Sequence, residues 1–360
     1  MGMEYKIERA SEKDGQEMLK IIEALPSKGI FELLYTRRPD AYSSYRKESD
    51  RVEVGVIRDE DGRIAMQGAC VIRDYYLNGE SCSVGYLGGI RKRPDFKGNI
   101  DWMKMVFEAR KQVFCDRFYC SILADNGLVM KYFKRKRKGI PQWEEVCDYT
   151  TYVINPRAIA RKRWKTSDKG LVFRRASQGD LPGIHEFLNR EGRKHDFFPK
   201  VSHLEQDFYG LRAEDCFLLE RDEGIIAFAA LWNQTDYRQY IVTKYNKPLN
   251  YMTRVDKLTQ LLGYVPFPRE NQVLDFPQLS LFLVENNDLG IYRHFLHKIS
   301  REIKRNTDMM VIGLPNESPA KQEVFERIRS LSFESTLFFV DFSENEVRPG
   351  SDLFIECGLL

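Results

Sequence analysis

One short string occurs twice in this chain: Arg9-Ala10-Ser11-Glu12-Lys13-Asp14 near the start and Arg175-Ala176-Ser177-Gln178-Gly179-Asp180 past the middle. Each copy follows a brief alternating stretch, Ile7-Glu8 in the first and Phe173-Arg174 in the second. Each precedes an amphipathic stretch, Met18 to Leu25 and Ile184 to Leu188. A serine followed three residues later by an aspartate offers capping oxygens to the free amides that open a helix. Alone such a cap is common. Its recurrence at the head of two similar successions of elements predicts a duplicated plan.

The succession continues in parallel. In the first half Val52 to Ile57 alternates as a strand and Asp59-Glu60-Asp61-Gly62 is hairpin-turn chemistry. Strands are expected over Ile64–Ile72 and Ser81–Ile90, joined by a turn at Asn78-Gly79. A helix over Asp101–Phe114, a strand over Phe118–Leu123, a short helix from Leu128 and a last strand pair ending near Ile154 complete the unit. The second half gives Cys216–Glu220, a turn at Arg221-Asp222-Glu223-Gly224 and Ile225–Trp232. After these come strand Leu279–Val284, helix Ile291–Lys304, strand Met309–Leu314, helix Ala320–Ser330 and strand Thr336–Phe342. The expected organisation is a first domain over 1–155, a linker over 156–170 and a second domain over 171–345. The second domain carries an insertion over 244–277, and a tail over 346–360 adds an edge strand or docks on the body.

Composition narrows the class. With 360 residues the chain is too long for one ordinary core, and 42% apolar with 30% charged residues is globular. A net charge of +3 makes no general case for nucleic acid. No apolar run reaches membrane-spanning length and the N-terminal residues lack a signal-peptide core, so a cytoplasmic location is expected. The seven cysteines are scattered without a CxxC pair and point to reduced thiols, with neither disulfides nor a zinc site. His294 and His297 lack a metal-binding frame, and no metal is expected.

The most specific motif is Gly88-Gly89-Ile90-Arg91-Lys92-Arg93-Pro94-Asp95-Phe96-Lys97-Gly98. Together with the element order it resembles the GNAT (Gcn5-related N-acetyltransferase) superfamily, where the fourth strand enters the acyl-CoA loop. The resemblance implies an α/β fold of two tandem GNAT domains, each a mixed, mostly antiparallel central sheet flanked by helices. It implies acetyl-CoA or another acyl-CoA as co-substrate, held by Ile90, Arg91, Lys92, Arg93, Lys97, Gly98, Asn99 and Asn126. In this family the strand splays from its neighbour to bond the pantetheine arm, and helix amides hold the pyrophosphate. The motif departs from the pattern after Gly98, where Ile100 and Trp102 replace two small residues and Asp101 adds a negative charge.

The segment Asp125-Asn126-Gly127-Leu128-Val129-Met130-Lys131-Tyr132-Phe133 is similar to the family's next strand-to-helix passage. It places Tyr132 as the acid for the departing thiolate, one residue from the strict count, which falls on Phe133. Glu80 is a candidate base, with Tyr86 a second. Cys82 and Cys120 offer a competing nucleophile, but the first half has no histidine to pair with them. Tyr35, Tyr42, Tyr45, Tyr75 and Tyr76 lie where the family builds its acceptor wall. Basic clusters at 134–138 and 161–165 could meet a phosphate or simply face solvent. In the second half Val284-Glu285-Asn286-Asn287-Asp288-Leu289-Gly290 replaces the acyl-CoA loop. The expected activity is acetyl transfer from acyl-CoA to a primary amine, of a small molecule or a peptide, by direct attack. A Fem-type transferase using aminoacyl-tRNA and a non-catalytic GNAT-like binding protein are the alternatives.

Overall fold

The computed structural model describes residues 5–28, 31–101, 103, 106–107, 110, 113, 115–136, 138, 142–164, 170–222 and 224–360. Trp102, Arg137, Lys165 and much of the expected helix over 101–114 lie outside the described residues.

Both repeated strings fold as reciprocal caps. Ser11 has φ −129° and ψ 173°, and Ser177 has φ −131° and ψ 172°. In each, the serine amide donates to the aspartate three residues on, at 2.8 Å. The first cap leads into α1 (Gly15–Glu23), which buries Met18, Leu19, Ile21 and Ile22. The second leads into α5 (Leu181–Gly192), which buries Ile184, Phe187 and Leu188.

The strands run in chain order as β1 (Glu8–Arg9), β2 (Ser27–Lys28), β3 (Phe31–Thr36), β4 (Val52–Arg58), β5 (Ile64–Leu77), β6 (Glu80–Lys92), β7 (Arg117–Leu123) and β8 (Glu144–Ile154). The second half supplies β9 (Leu171–Arg175), β10 (Cys216–Arg221), β11 (Gly224–Trp232), β12 (Gln239–Tyr245), β13 (Gln278–Val284), β14 (Met310–Pro315) and β15 (Ser330–Asp341). The helices used below are α2 (Ala41–Arg46), α3 (Gly127–Lys134), α4 (Pro156–Ala160), α6 (Leu289–Ile303) and α7 (Pro319–Glu323). The hairpin of β5 and β6 turns on Asn78 (φ 51°) and Gly79 (φ 79°), both in the left-handed region that a two-residue loop requires.

Among the described residues, twelve strands form one continuous sheet in the order β1-β4-β5-β6-β7-β15-β8-β14-β13-β11-β10-β9. It is mostly antiparallel, with β6/β7 and β13/β14 as its parallel pairs. The sequence predicts one sheet per half. Here the last strand of each half crosses over: β15 pairs with β7 along Ser335–Asp341, and β8 pairs with β14 along Tyr149–Ile154. β15 begins at Ser330, earlier than the predicted Thr336, because it also pairs along β8 from Ser330↔Ile154 onward. The chain between β14 and β15 therefore holds only α7 and a 3-10 turn, in place of the helix expected to Ser330.

A second sheet, β12-β3-β2, has no counterpart in the sequence reading. It joins β3 of the first half to β12 of the second across Gln239↔Thr36 to Tyr245↔Phe31. The predicted linker is also partly structured: Asn155 caps α4 with Pro156 at its first turn, and Ile159 is fully buried. The tail docks on the body, with Ile355, Glu356 and Leu359 buried.

Candidate functional site

Strand β6 carries the site. It pairs with β7 only at Gly85↔Phe118 and Tyr86↔Tyr119. Beyond that point β6 continues to Lys92 and β7 to Leu123 with no pairing between them. The register against β5 jumps between Gln67 and Ala69, which makes a bulge at Gly88-Gly89-Ile90. Gly89 has φ 63°, and a Cβ placed on it would lie 1.7 Å from the Tyr45 hydroxyl, so only glycine fits. The parted stretch Gly88–Ile90 is half-exposed. Its free backbone groups can bond an extended ligand as an added strand would.

The loop after β6 divides its basic residues by role. Arg93 is buried and clamps Asp59 and Asp95, each at 2.6 Å, and the Ile64 carbonyl at 2.8 Å. It fastens the loop to the β4–β5 hairpin and has little left for a ligand. Lys92 donates to the Gly98 carbonyl at 2.8 Å, closing the loop on itself. Arg91, Lys97 and Asn99 are exposed. Asn126 caps α3 by accepting from the Val129 amide at 3.4 Å. On the same helix the Tyr132 phenol donates to Asp101 at 2.5 Å and ties α3 to the end of the loop. The structure thus gathers Ile90 to Asn99, Asn126 and Tyr132 around the mouth of the parted strands. It does not bring Glu80 there. Glu80 is exposed at the far hairpin, ten residues before Ile90 on the same strand, or about 30 Å at strand rise.

The cysteines are unsuited to nucleophilic work. Burial pushes the Cys82 thiol up to about 11 and raises Cys120 well above its ordinary value. Among the described residues no group of His, Cys, Asp and Glu could hold a metal ion.

Sequence reasoning missed a charged knot beside the bulge. Glu48, just after α2, accepts from Arg37 at 2.5 Å and from Arg238 at 2.8 Å on the same oxygen. Arg73 donates to the Glu48 carbonyl, and to the Asp207 carbonyl at 2.6 Å. Ser44 adds a bond from α2 to the Tyr237 carbonyl at 2.5 Å. Burial would raise the Glu48 carboxyl, but the charges of Arg238 and Arg37 overcome it and hold it at about 2. Arg37 also stacks 3.7 Å from the ring centroid of Tyr45, the residue that covers Gly89. Bonded partners in the knot stand up to 193 residues apart, and no local pattern marks them.

The second half repeats the geometry with its groove filled. β13 and β14 pair only at Gln278↔Val311, and Leu281, at φ 50°, sits in the corresponding bulge. The Leu281 amide is taken by Glu356 of the tail at 2.6 Å. The Gly358 carbonyl accepts from Gln234 at 2.8 Å and Arg238 at 3.2 Å, and the Tyr149 hydroxyl donates to the Ile355 carbonyl at 2.9 Å. At the N-terminus of α6, Asp288 accepts from the amides of Gly290 and Ile291 at 2.7 and 2.9 Å. Side chains of the chain itself thus take up the bulge amide and the first helix amides of this half.

No protein-family model and no curated protein sequence matches the chain. Solved structures do match it in three dimensions. N-myristoyltransferase of Saccharomyces cerevisiae with bound myristoyl-CoA is similar over 95% of this chain and 80% of its own, with a TM-score of 0.55 at 9% identity. A GCN5-related N-acetyltransferase from Anabaena variabilis matches over 94% of this chain and 73% of its own, with a TM-score of 0.54 at 10% identity. A probable N-acyltransferase of unknown function from Enterococcus faecalis gives 94% and 73%, with a TM-score of 0.53 at 10% identity. The fold is therefore the GNAT fold, a large mixed sheet flanked by helices.

Proposed function

We infer that the chain is an acyl-CoA-dependent N-acyltransferase with one working site, in its first half. The observation that carries this reading is the parting of β6 from β7 after Tyr86 and Tyr119, with a glycine bulge at Gly89, in a chain of this fold. The pantetheine arm would lie along Leu87 to Lys92, with Arg91, Lys97 and Asn99 free to meet the phosphates. The acceptor, an amine of a small molecule or a peptide, would reach the thioester from the α1–α2 side. Tyr132 would protonate the departing thiolate once its bond to Asp101 is given up. The filled second groove makes that half a support and not a second site. In this reading the two halves, 1–155 and 171–345, are copies of one domain that have exchanged their last strands.

The test is ligand linkage. A ligand that binds only the folded chain stabilises it by about 2.7 kcal/mol at a hundredfold excess over its dissociation constant. Acetyl-CoA and myristoyl-CoA should each be tried in a thermal melt, followed by titration calorimetry for stoichiometry. One acyl-CoA per chain is expected. No stabilisation by either at millimolar concentration would overturn the reading, and salt-sensitive binding of tRNA in its place would favour an aminoacyl-tRNA substrate.

A further inference from the structure

The Tyr45 hydroxyl is buried and has no hydrogen-bond partner among the described residues. Buried hydroxyls are seldom left so, because an unmade bond costs about 1–3 kcal/mol. Its position removes the ordinary remedies. The ring is 1% exposed, is fixed on α2 and is covered by the Arg37 guanidinium. The oxygen rests on Gly89, at the place where any other residue would carry its Cβ. Arg37, Tyr35, Glu48 and Arg91 are the charged and titratable groups that bear on it. Burial pushes the phenol up to about 12, so it is a donor at any physiological pH. A fixed donor without an acceptor thus stands against the backbone of the bulge, one layer beneath the half-exposed stretch Gly88–Ile90.

We propose that Tyr45 is a catalytic residue that donates a hydrogen bond to the thioester carbonyl oxygen of the bound acyl-CoA. The proposal rests on the acyl-CoA reading above. In the transfer, the acceptor nitrogen forms a bond to the carbonyl carbon and the carbonyl π pair moves onto oxygen. The return of that pair breaks the carbon–sulfur bond, and the thiolate gains a proton as the nitrogen loses one. Tyr45 keeps its own proton throughout and stabilises the oxygen where negative charge gathers. Such donors work best when they are fixed before the substrate arrives, which packing between Arg37 and Gly89 ensures.

The experiment compares the full chain with Tyr45→Phe, using acetyl-CoA labelled with carbon-13 at the carbonyl, and unacylated CoA. In the unaltered protein the carbonyl resonance should move downfield on binding. In Tyr45→Phe that movement should be largely lost, and the preference for acetyl-CoA over CoA should fall about three- to tenfold, as for one hydrogen bond. Affinity for CoA itself should not change. The urea midpoint of the variant should be equal or higher, since the removed hydroxyl makes no bond in the free protein. A carbonyl shift that is the same in both proteins overturns the proposal and leaves the acyl-CoA reading standing. A lowered urea midpoint with an unchanged shift assigns the hydroxyl to structure. If neither acetyl-CoA nor CoA binds the unaltered chain, both readings fall together.

Discussion

Glu48→Gln is the sharpest test of how the two halves are held together. Glutamine keeps the size of the side chain and one acceptor oxygen, so the bonds from Arg37 and Arg238 can persist while the charge is lost. Both guanidiniums would then stand without a counter-charge, in side chains that are only 4% exposed. Removing one partner of a buried ion pair costs about 3–5 kcal/mol, because the remaining charge is left uncompensated. Linkage gives an independent figure. A carboxyl held at about 2 against its ordinary 4.5 contributes about 3 kcal/mol at neutral pH.

The sign follows from the depressed carboxyl. Its contribution is fully present above pH 4.5 and is lost as the pH falls toward 2. Urea unfolding at pH 7 should show Glu48→Gln less stable by about 3 kcal/mol. A series from pH 5 down to pH 2 should show the unaltered chain losing that margin while the variant stays flat from this source. A cost below about 1 kcal/mol, within the range of an exposed pair, would refute the reasoning. So would an unaltered acid slope.

Gly89→Ala should abolish acyl-CoA stabilisation in a thermal melt, since its Cβ would overlap the Tyr45 oxygen and alanine at φ 63° costs about 1–2 kcal/mol. Retained binding would move the ligand away from the bulge. Tyr132→Phe should lower turnover about a hundredfold, the usual loss of a general acid, with acyl-CoA affinity in place. The check is thiol release with any amine that supports it, and an unchanged rate would pass the acid's role to another group. Ser11→Ala and Ser177→Ala should cost about the same, near 1 kcal/mol each, because the two caps share their dihedrals. Urea midpoints that differ widely between them would argue that the caps are not equivalent in the fold.

Much of the fold was legible because its signals are local. A serine and an aspartate three residues apart define each cap, Asn78-Gly79 defines a hairpin, and alternation marks β4 to β6. The loop from Ile90 to Gly98 was legible as a motif, and Asn126 was readable as a cap from its type and place. Individual roles within the loop were not. Arg93 looks like a phosphate ligand in sequence, and only the folded chain shows it spent on Asp59 and Asp95. Glu80 stands just before the strand expected over Ser81–Ile90, and the folded strand takes it in as its first residue, about 30 Å from Ile90.

The sequence by itself determined the two caps, the β4–β6 hairpins and most of the repeated order of elements. The tertiary structure decided which strands exchange, how β3 finds β12, that the tail fills the second groove, and that Glu48 meets Arg37 and Arg238. The reason is range. Dihedral and capping preferences act over a few residues and are written into each stretch of chain. Pairing between residues two hundred positions apart is set by which buried groups can satisfy one another once the chain has closed.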